Sequence, residues 1–347
     1  MAVGVVAMLA ACGAAPSSSS TAASSKYLPC IVSDSGGFND HSFNQLGLQG
    51  VEQAAQKLGT SYKSVQSKTP SDYAPNVSQL VSQGCNIIVA SGFNLVATVK
   101  SAAASNPKTD FAMIDDNSIK AANVKPVVYQ TNEAAFLGGY AAAAYSKSGV
   151  VATYGGMNLP SVTIYMDGFY DGVQYYNKQK GKNVQVLGWD ESTQKGTFVG
   201  NFTDQNASKT IATNFINQKA DVIFPVAGSL YQGAGAAIRS SGTDAVLMGV
   251  DADLYLTDTN GYQNIILTSV LKNIQPTVAT VVEQAASEKT FDNSTYIGTL
   301  KNGGVGLAPF HDFASKIPSG LQAELDKIKA GIIDGSIQAA SPSAFTN

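Results

Sequence analysis

Short apolar runs alternate with segments of helical periodicity along almost the whole chain. That alternation restricts the fold more than any other feature. Residues 30–33, 62–66, 86–90, 110–114 and 124–130 are of strand length and carry β-branched or aromatic side chains. Residues 42–58, 73–83, 95–106 and 133–146 follow them in turn, with apolar positions three and four apart. The pattern then restarts, with strand-like runs at 150–154, 184–189, 222–226, 246–249 and 265–270 between helical segments at 160–179, 205–218, 228–240 and 275–289. Strand, helix, strand, helix in this order places helices on both faces of mostly parallel sheets. The expected class is therefore α/β, in two doubly wound halves.

In open parallel sheets, ligands bind beyond the carboxyl ends of the strands. Asp34, Gly92-Phe93-Asn94 and Asp115-Asp116 occupy those places in the first half. Gly155-Gly156-Met157, Gly228-Ser229-Leu230-Tyr231 and Asp251 occupy them in the second. Acids, glycines and aromatic rings in these places point to a cleft that accepts hydrogen bonds from hydroxyl and NH groups. The densest stretch is Asp34-Ser-Gly-Gly-Phe38-Asn-Asp40-His-Ser-Phe43-Asn44. It combines acids, an amide and an aromatic ring with no catalytic partner, and reads as a loop for a small polar ring compound.

Residues 1–11 are apolar and end in Leu9-Ala10-Ala11 before Cys12, which resembles a bacterial lipoprotein signal peptide without its basic n-region. Eleven residues are too few to span a bilayer. Residues 12–25 are rich in Ser and Ala and read as a flexible tether, with lipid on the Cys12 sulfur. The expected location is extracytoplasmic, on the outer face of a bacterial cell membrane. The rest of the chain is long enough for two lobes with separate cores. A net charge of −3 and the absence of a basic stripe argue against nucleic acid. Cys30 and Cys85 each precede an apolar run. On neighbouring parallel strands they would lie at one end of a sheet, either as a disulfide, which export permits, or as two buried thiols.

Several motifs together resemble the basic-membrane-protein (PnrA-like) lipoproteins, nucleoside-binding components of ABC importers. They are the Asp34 to Asn44 stretch, Asp72-Tyr73 leading to Asn76, Gly92-Phe93, residues 111–115, Gly155-Gly156-Met157 with Pro160, Asp167-Gly168-Phe169 with Gly172, Gly249-Val250-Asp251 with Asp253, and Thr268 to Lys272-Asn273. The resemblance runs from about residue 28 to 310. It implies a type I periplasmic-binding-protein fold with two hinged lobes, residues 26–131 plus 270–310 and residues 132–269 plus 311–347. It implies a monomer that closes on a nucleoside, purine favoured, and partners in a permease and an ATPase. No cofactor or metal is expected.

On matching positions the resemblance assigns base stacking to Phe43, polar edges of the base or bracing of the loop to Asp34, Asn44 and Asp115, and the ribose hydroxyls to Asp251 and Lys272. Asp40, Phe93, Phe169, Gly228 and Tyr231 complete the expected ligand set. Each has a plainer reading. Phe43 could open the core face of its helix, Asp34 could cap a helix or brace the Gly36-Gly37 turn, and Asp115 could pair with a helix N-terminus. Asp251 and Lys272 could form a structural ion pair across the hinge. The chain departs from the family where a Gly-Gly-Thr-Gly loop gives way to Gly228-Ser-Leu-Tyr231-Gln. Tyr231 would then be a second aromatic wall or would narrow the cleft. Asp253-Leu254 departs as well, which puts one polar contact in doubt. Trp189 reads as packing.

His41 and His311 are the two histidines, far apart and without a nucleophile elbow. The glycine-rich loop at 228–235 lacks the Lys-Ser/Thr of a phosphate-binding loop. The chain is thus read as a binder and not an enzyme. Two rivals stand beside nucleoside binding. A sugar or signal-molecule receptor would want more arginine than Arg239, the single one present. A surface nucleoside hydrolase would need Asp34, Asp40 and Asp115 to activate water.

Overall fold

The computed structural model describes residues 27–345, together with Met1. Cys12, the signal peptide and the tether lie outside the described residues. The first lobe opens with β1 (Pro29–Ser33) and α1 (Phe43–Leu58), then β2 (Lys63–Val65), α2 (Tyr73–Ser82), β3 (Ile87–Ser91), α3 (Val96–Ser105), β4 (Asp110–Ile114) and β5 (Val124–Tyr129). Every residue of β1, β3 and β5 is buried, as expected for parallel strands covered on both faces. α1 ends at Gly59 in the left-handed conformation, φ 65°, a stop that glycine adopts without a Cβ clash.

The chain then crosses into the second lobe, which repeats the plan. α4 (Thr131–Tyr145) precedes β6 (Val150–Gly155), α5 (Pro160–Lys180) and β7 (Gln185–Leu187). A small hairpin, β8 (Trp189–Asp190) and β9 (Lys195–Gly196), takes up the end of the run expected to be one strand through Trp189. α6 (Gln205–Asn217), β10 (Val222–Val226), α7 (Tyr231–Ser241), β11 (Val246–Asp251), α8 (Leu254–Thr257) and β12 (Ile266–Lys272) complete it. α9 (Ile274–Ser287) and β13 (Tyr296–Gly298) return to the first lobe, and β14 (Val305–Leu307) and α10 (Leu321–Asp334) to the second.

The two main sheets have matching orders, β13-β5-β4-β3-β1-β2 and β14-β12-β11-β10-β6-β7. All neighbours in them are parallel except β12 and β14. In each sheet the strand order reverses at the first strand, between β1 and β3 and between β6 and β10. Crevices for ligands open at such switch points.

The helices that follow the crossings change sides. α9 packs on α1, tied by Lys57 and Glu283 2.5 Å apart. α4 packs on α5 almost backbone to backbone. A Cβ on Gly139 would lie 2.0 Å from the Phe169 carbonyl oxygen, and one on Gly172 2.0 Å from that of Phe136. The Asp167-Gly168-Phe169 motif is thereby explained as packing. Gly168 meets Asn132, and Phe169 is fully buried 5.1 Å from Phe224.

The crossings lie at Gln130, at Asn273 and between Gly298 and Val305. They hydrogen-bond to one another, Gln130 N to Gly298 O at 2.8 Å and Asn273 N to Gly304 O at 2.9 Å. The boundary expected at 270 therefore moves to Asn273, because β12 continues to Lys272 in register with β14. The boundary expected at 310 moves back ahead of β14 for the same reason. Cys30 and Cys85 form a disulfide, Cα to Cα 5.9 Å, at the end of β1 away from Asp34. Among the described residues no helix is long and apolar enough to cross a membrane.

Candidate ligand-binding cleft

A cleft with a cavity volume of about 80 Å³ opens between the lobes at the carboxyl ends of the strands. The first lobe lines it with Asp34, Asp40, Phe43, Asn44, Phe93 and Asp115. The second lines it with Gly228, Asp251 and Lys272, and with Tyr165, Phe202 and Ser229.

Lys272, the last residue of β12, sits at the centre. Its ammonium donates to both carboxylate oxygens of Asp115, at 2.9 and 3.0 Å, and lies 3.8 Å from Asp251 Oδ1. Three rings surround it, Phe43 at 5.1 Å, Tyr165 at 5.4 Å and Tyr129 at 5.6 Å, close enough for cation–π attraction. Asp115 and Asp251 end or follow strands in left-handed backbone conformations, φ 69° and 66°. Aspartate accepts that region more readily than most residues. Burial pushes the Asp115 carboxyl up, and the Lys272 ammonium pulls it back.

Asp251 is held from both lobes. Tyr165 donates to Oδ1 at 2.7 Å and Ser42, from the first lobe, donates to Oδ2 at 3.0 Å. Two hydrogen bonds leave acceptor capacity on this carboxylate, which has about four lone-pair sites.

Asp40 has little such capacity. It accepts from the backbone N–H groups of Ser42, Asn44 and Gln45 at 2.8–3.0 Å and from Asn44 Nδ2 at 3.2 Å. It therefore caps the start of α1 from outside the helix, and burial pushes its carboxyl up to about 6 against those bonds. Asn44 bridges the two acids of the loop, since its Nδ2 also donates to Asp34 Oδ1 at 3.0 Å. Asp34 accepts Gly36 N–H at 2.9 Å, bracing the turn, and Asn94 Nδ2 at 3.4 Å, and burial pushes its carboxyl up. The three acids do not converge as a water-activating set. Asp40 turns into the helix terminus and Asp115 to Lys272.

Two expected ligand residues stand elsewhere. Tyr231 is 3% exposed, with its ring in the second lobe's own core and its hydroxyl 3.3 Å from Asn260 Nδ2. Burial and Asp258 push that hydroxyl up to about 12. Phe169 lies one turn of α5 below Tyr165, within the core. Asp253 pairs with His311 at 2.8 Å, outside the cleft. Besides Tyr165, the second lobe offers the ring of Phe202, from a loop that runs beside β6. Val199 and Gly200 donate to Gly155 and Gly156 there, and Phe202 lies so close to Gly156 that a Cβ would come within 2.3 Å of its ring. The signal for it was present as Gly155-Gly156, whose missing side chains make the room. The sequence of Asn201-Phe202-Thr203 itself offers none. Tyr165 and Ser42 were also missed, because each acts through Asp251, 86 and 209 residues away.

Formally the lining holds four carboxylates, Asp34, Asp40, Asp115 and Asp251, against the single ammonium of Lys272. Such a site favours ligands that donate hydrogen bonds and disfavours phosphate esters.

Fold and cleft together define a class, a two-lobed solute-binding protein with a cleft between its lobes. The chain belongs to the PnrA-like family of ABC transporter substrate-binding proteins, whose family model matches residues 29–339. It is 29% identical over 326 residues to a Lactococcus lactis subsp. cremoris protein named ABC transporter nucleoside-binding protein BmpA, over 90% of this chain and 88% of that one. It is also 29% identical over 307 residues to basic membrane protein A of Borreliella burgdorferi, over 87% and 84% of the two chains. A solved solute-binding protein of an ABC transporter system from Aeropyrum pernix shares the fold, with TM-score 0.77 and 24% identity over 91% of this chain and 94% of that one. The chain is thus an extracytoplasmic substrate-binding component that works with a permease and an ATPase, and not an enzyme.

Proposed function

We propose that this protein captures nucleosides, purines in preference, and delivers them to its transporter. The reading rests chiefly on one observation. Phe43 and Phe202 line the same cleft from opposite lobes, together with Asp251, whose carboxylate has acceptor sites to spare. Two rings suit a flat base, and each base–aromatic contact contributes about 1–3 kcal/mol without requiring charge on the ligand. Asp251 has acceptor sites to spare for a vicinal diol, Lys272 has a proton for a ribose oxygen, and Asp34 suits the NH edge of a base. The related Lactococcus protein is named for nucleoside binding, in agreement with this reading. Membrane attachment through lipid on Cys12, by a monomer, completes the proposal. Cys12→Ala would then release the protein from cell membranes.

Calorimetry across adenosine, guanosine, inosine, cytidine, uridine, the matching monophosphates and ribose tests it. Purine nucleosides bind most tightly, and monophosphates and ribose do not bind. A panel without any nucleoside binding overturns the reading.

A further inference from the structure

We infer that the segment from Ile337 to Phe345 is a positioning strap for ligand capture, tying the hinge residue Gln130 to the cleft-lining helix α5. The segment lies beyond α10, runs without regular secondary structure to Ser341, and turns at Pro342-Ser343, where Ala344 N–H donates to Ser341 O at 3.1 Å. Ile337, Ala339, Ser341, Ser343 and Phe345 are part-buried against the protein, while Gln338, Ala340 and Pro342 are exposed. Ala344 is part-buried as well, so both the run up to Ser341 and the turn after it lie against the protein.

Its polar contacts fall on two places. Ser341 donates to Asp167, and Ser343 Oγ lies 2.7 Å from Thr163 Oγ1, both partners on α5. This is the stretch of α5 that presents Ser161 and Tyr165 to the cleft. At its far end the strap meets the hinge. Gln130 Nε2 donates to Phe345 O at 2.7 Å, and Phe345 N–H donates to Gln130 Oε1 at 3.2 Å. The side-chain amide of a crossing residue thus pairs with the strap as a backbone would. Asn132, two residues into α4, adds a bond to Ala339 O.

None of the strap residues lines the cleft, so any effect on a ligand passes through position. Opening of the lobes changes the backbone at the crossings, and Gln130 is one of three. A strap bonded to its side chain and to α5 favours one hinge geometry, which here is the closed one bridged by Lys272 and Asp115. Removing it shifts the population towards open forms and destabilises the closed, liganded one, so that a bound ligand escapes faster.

The inference rests on closure around a ligand, which the family's role requires, and its test separates it from the nucleoside reading. A variant ending at Gln338 and a full-length Gln130→Ala variant are compared with the parent. Small-angle scattering without ligand, thermal unfolding and stopped-flow dissociation of guanosine are measured. The shortened chain is expected to show a larger radius of gyration and roughly tenfold faster guanosine release, with association within about twofold. Gln130→Ala follows in the same direction by roughly threefold. A folded shortened chain with unchanged radius and release overturns the proposal, as does a lowered melting temperature with release unchanged. If the shortened chain does not fold, Gln130→Ala decides alone. If guanosine does not bind at all, the nucleoside reading fails and the scattering still decides the strap.

Discussion

Lys272 on the second lobe donates to both carboxylate oxygens of Asp115 on the first, 157 residues away in the chain. Both side chains are almost fully buried by the closing of the lobes, at 4% and 8% exposure. Because the pair spans two lobes, opening the hinge can hydrate both charges. Its loss is therefore felt in closure more than in the folding of either lobe.

Lys272→Met leaves Asp115 and Asp251 facing each other in the closed form without a cation. Breaking one side of a buried pair costs about 3–5 kcal/mol, so nucleoside affinity should fall by roughly 100-fold or more. The melting temperature should move by only a few degrees, roughly what one kcal/mol or less of stability produces. Adding Asp115→Asn should restore closure of the unliganded protein, read by scattering. A double variant as open as the single one would show that the pair does not govern closure.

Phe43→Ala and Phe202→Ala should each weaken purine nucleoside binding by roughly 5- to 150-fold, the loss of one stacked face. Tyr231→Phe should leave the dissociation constant within about twofold and cost about 1 kcal/mol of stability, since its hydroxyl serves Asn260 and Asp258. Calorimetry and thermal unfolding on the three variants distinguish the walls. Strong loss of binding in Tyr231→Phe would return it to the cleft.

The Cys30–Cys85 disulfide closes a loop with a sequence separation of 55. By chain entropy that is worth about 4 kcal/mol. Reduction, or Cys30→Ala with Cys85→Ala, should lower the melting temperature by several degrees yet leave nucleoside affinity unchanged, because the bond lies at the opposite end of β1 from Asp34. Equal melting with and without reductant would count against it.

Glu191 lies beside Asp171 and Asp167, and burial followed by these two carboxylates pushes it up from 4.5 to about 7. A folded value above the unfolded one means that the native state holds the extra proton. Its stabilising effect is complete below about 4.5 and is lost as pH rises through about 7. Glu191→Gln should flatten the fall in melting temperature between those limits. An unchanged slope would place the pH dependence elsewhere.

Much of the fold was legible in the chain because its signals are local. Buried parallel strands require continuous apolar runs, helices require apolar positions at their own period, and the acids at strand ends follow from where such sheets leave crevices. Asp34, Asp115 and Asp251 were read on those grounds, and Lys272 through the family resemblance. The tertiary structure alone decided the rest. It set the glycine contacts that draw α5 onto α4, turned Tyr231 into the core, and brought Phe202 onto Gly156. It also made Asp40 a helix cap and Asn44 a bridge between acids. Each of these depends on which side chain fills the space left by another segment, and that space exists only once both lobes have packed.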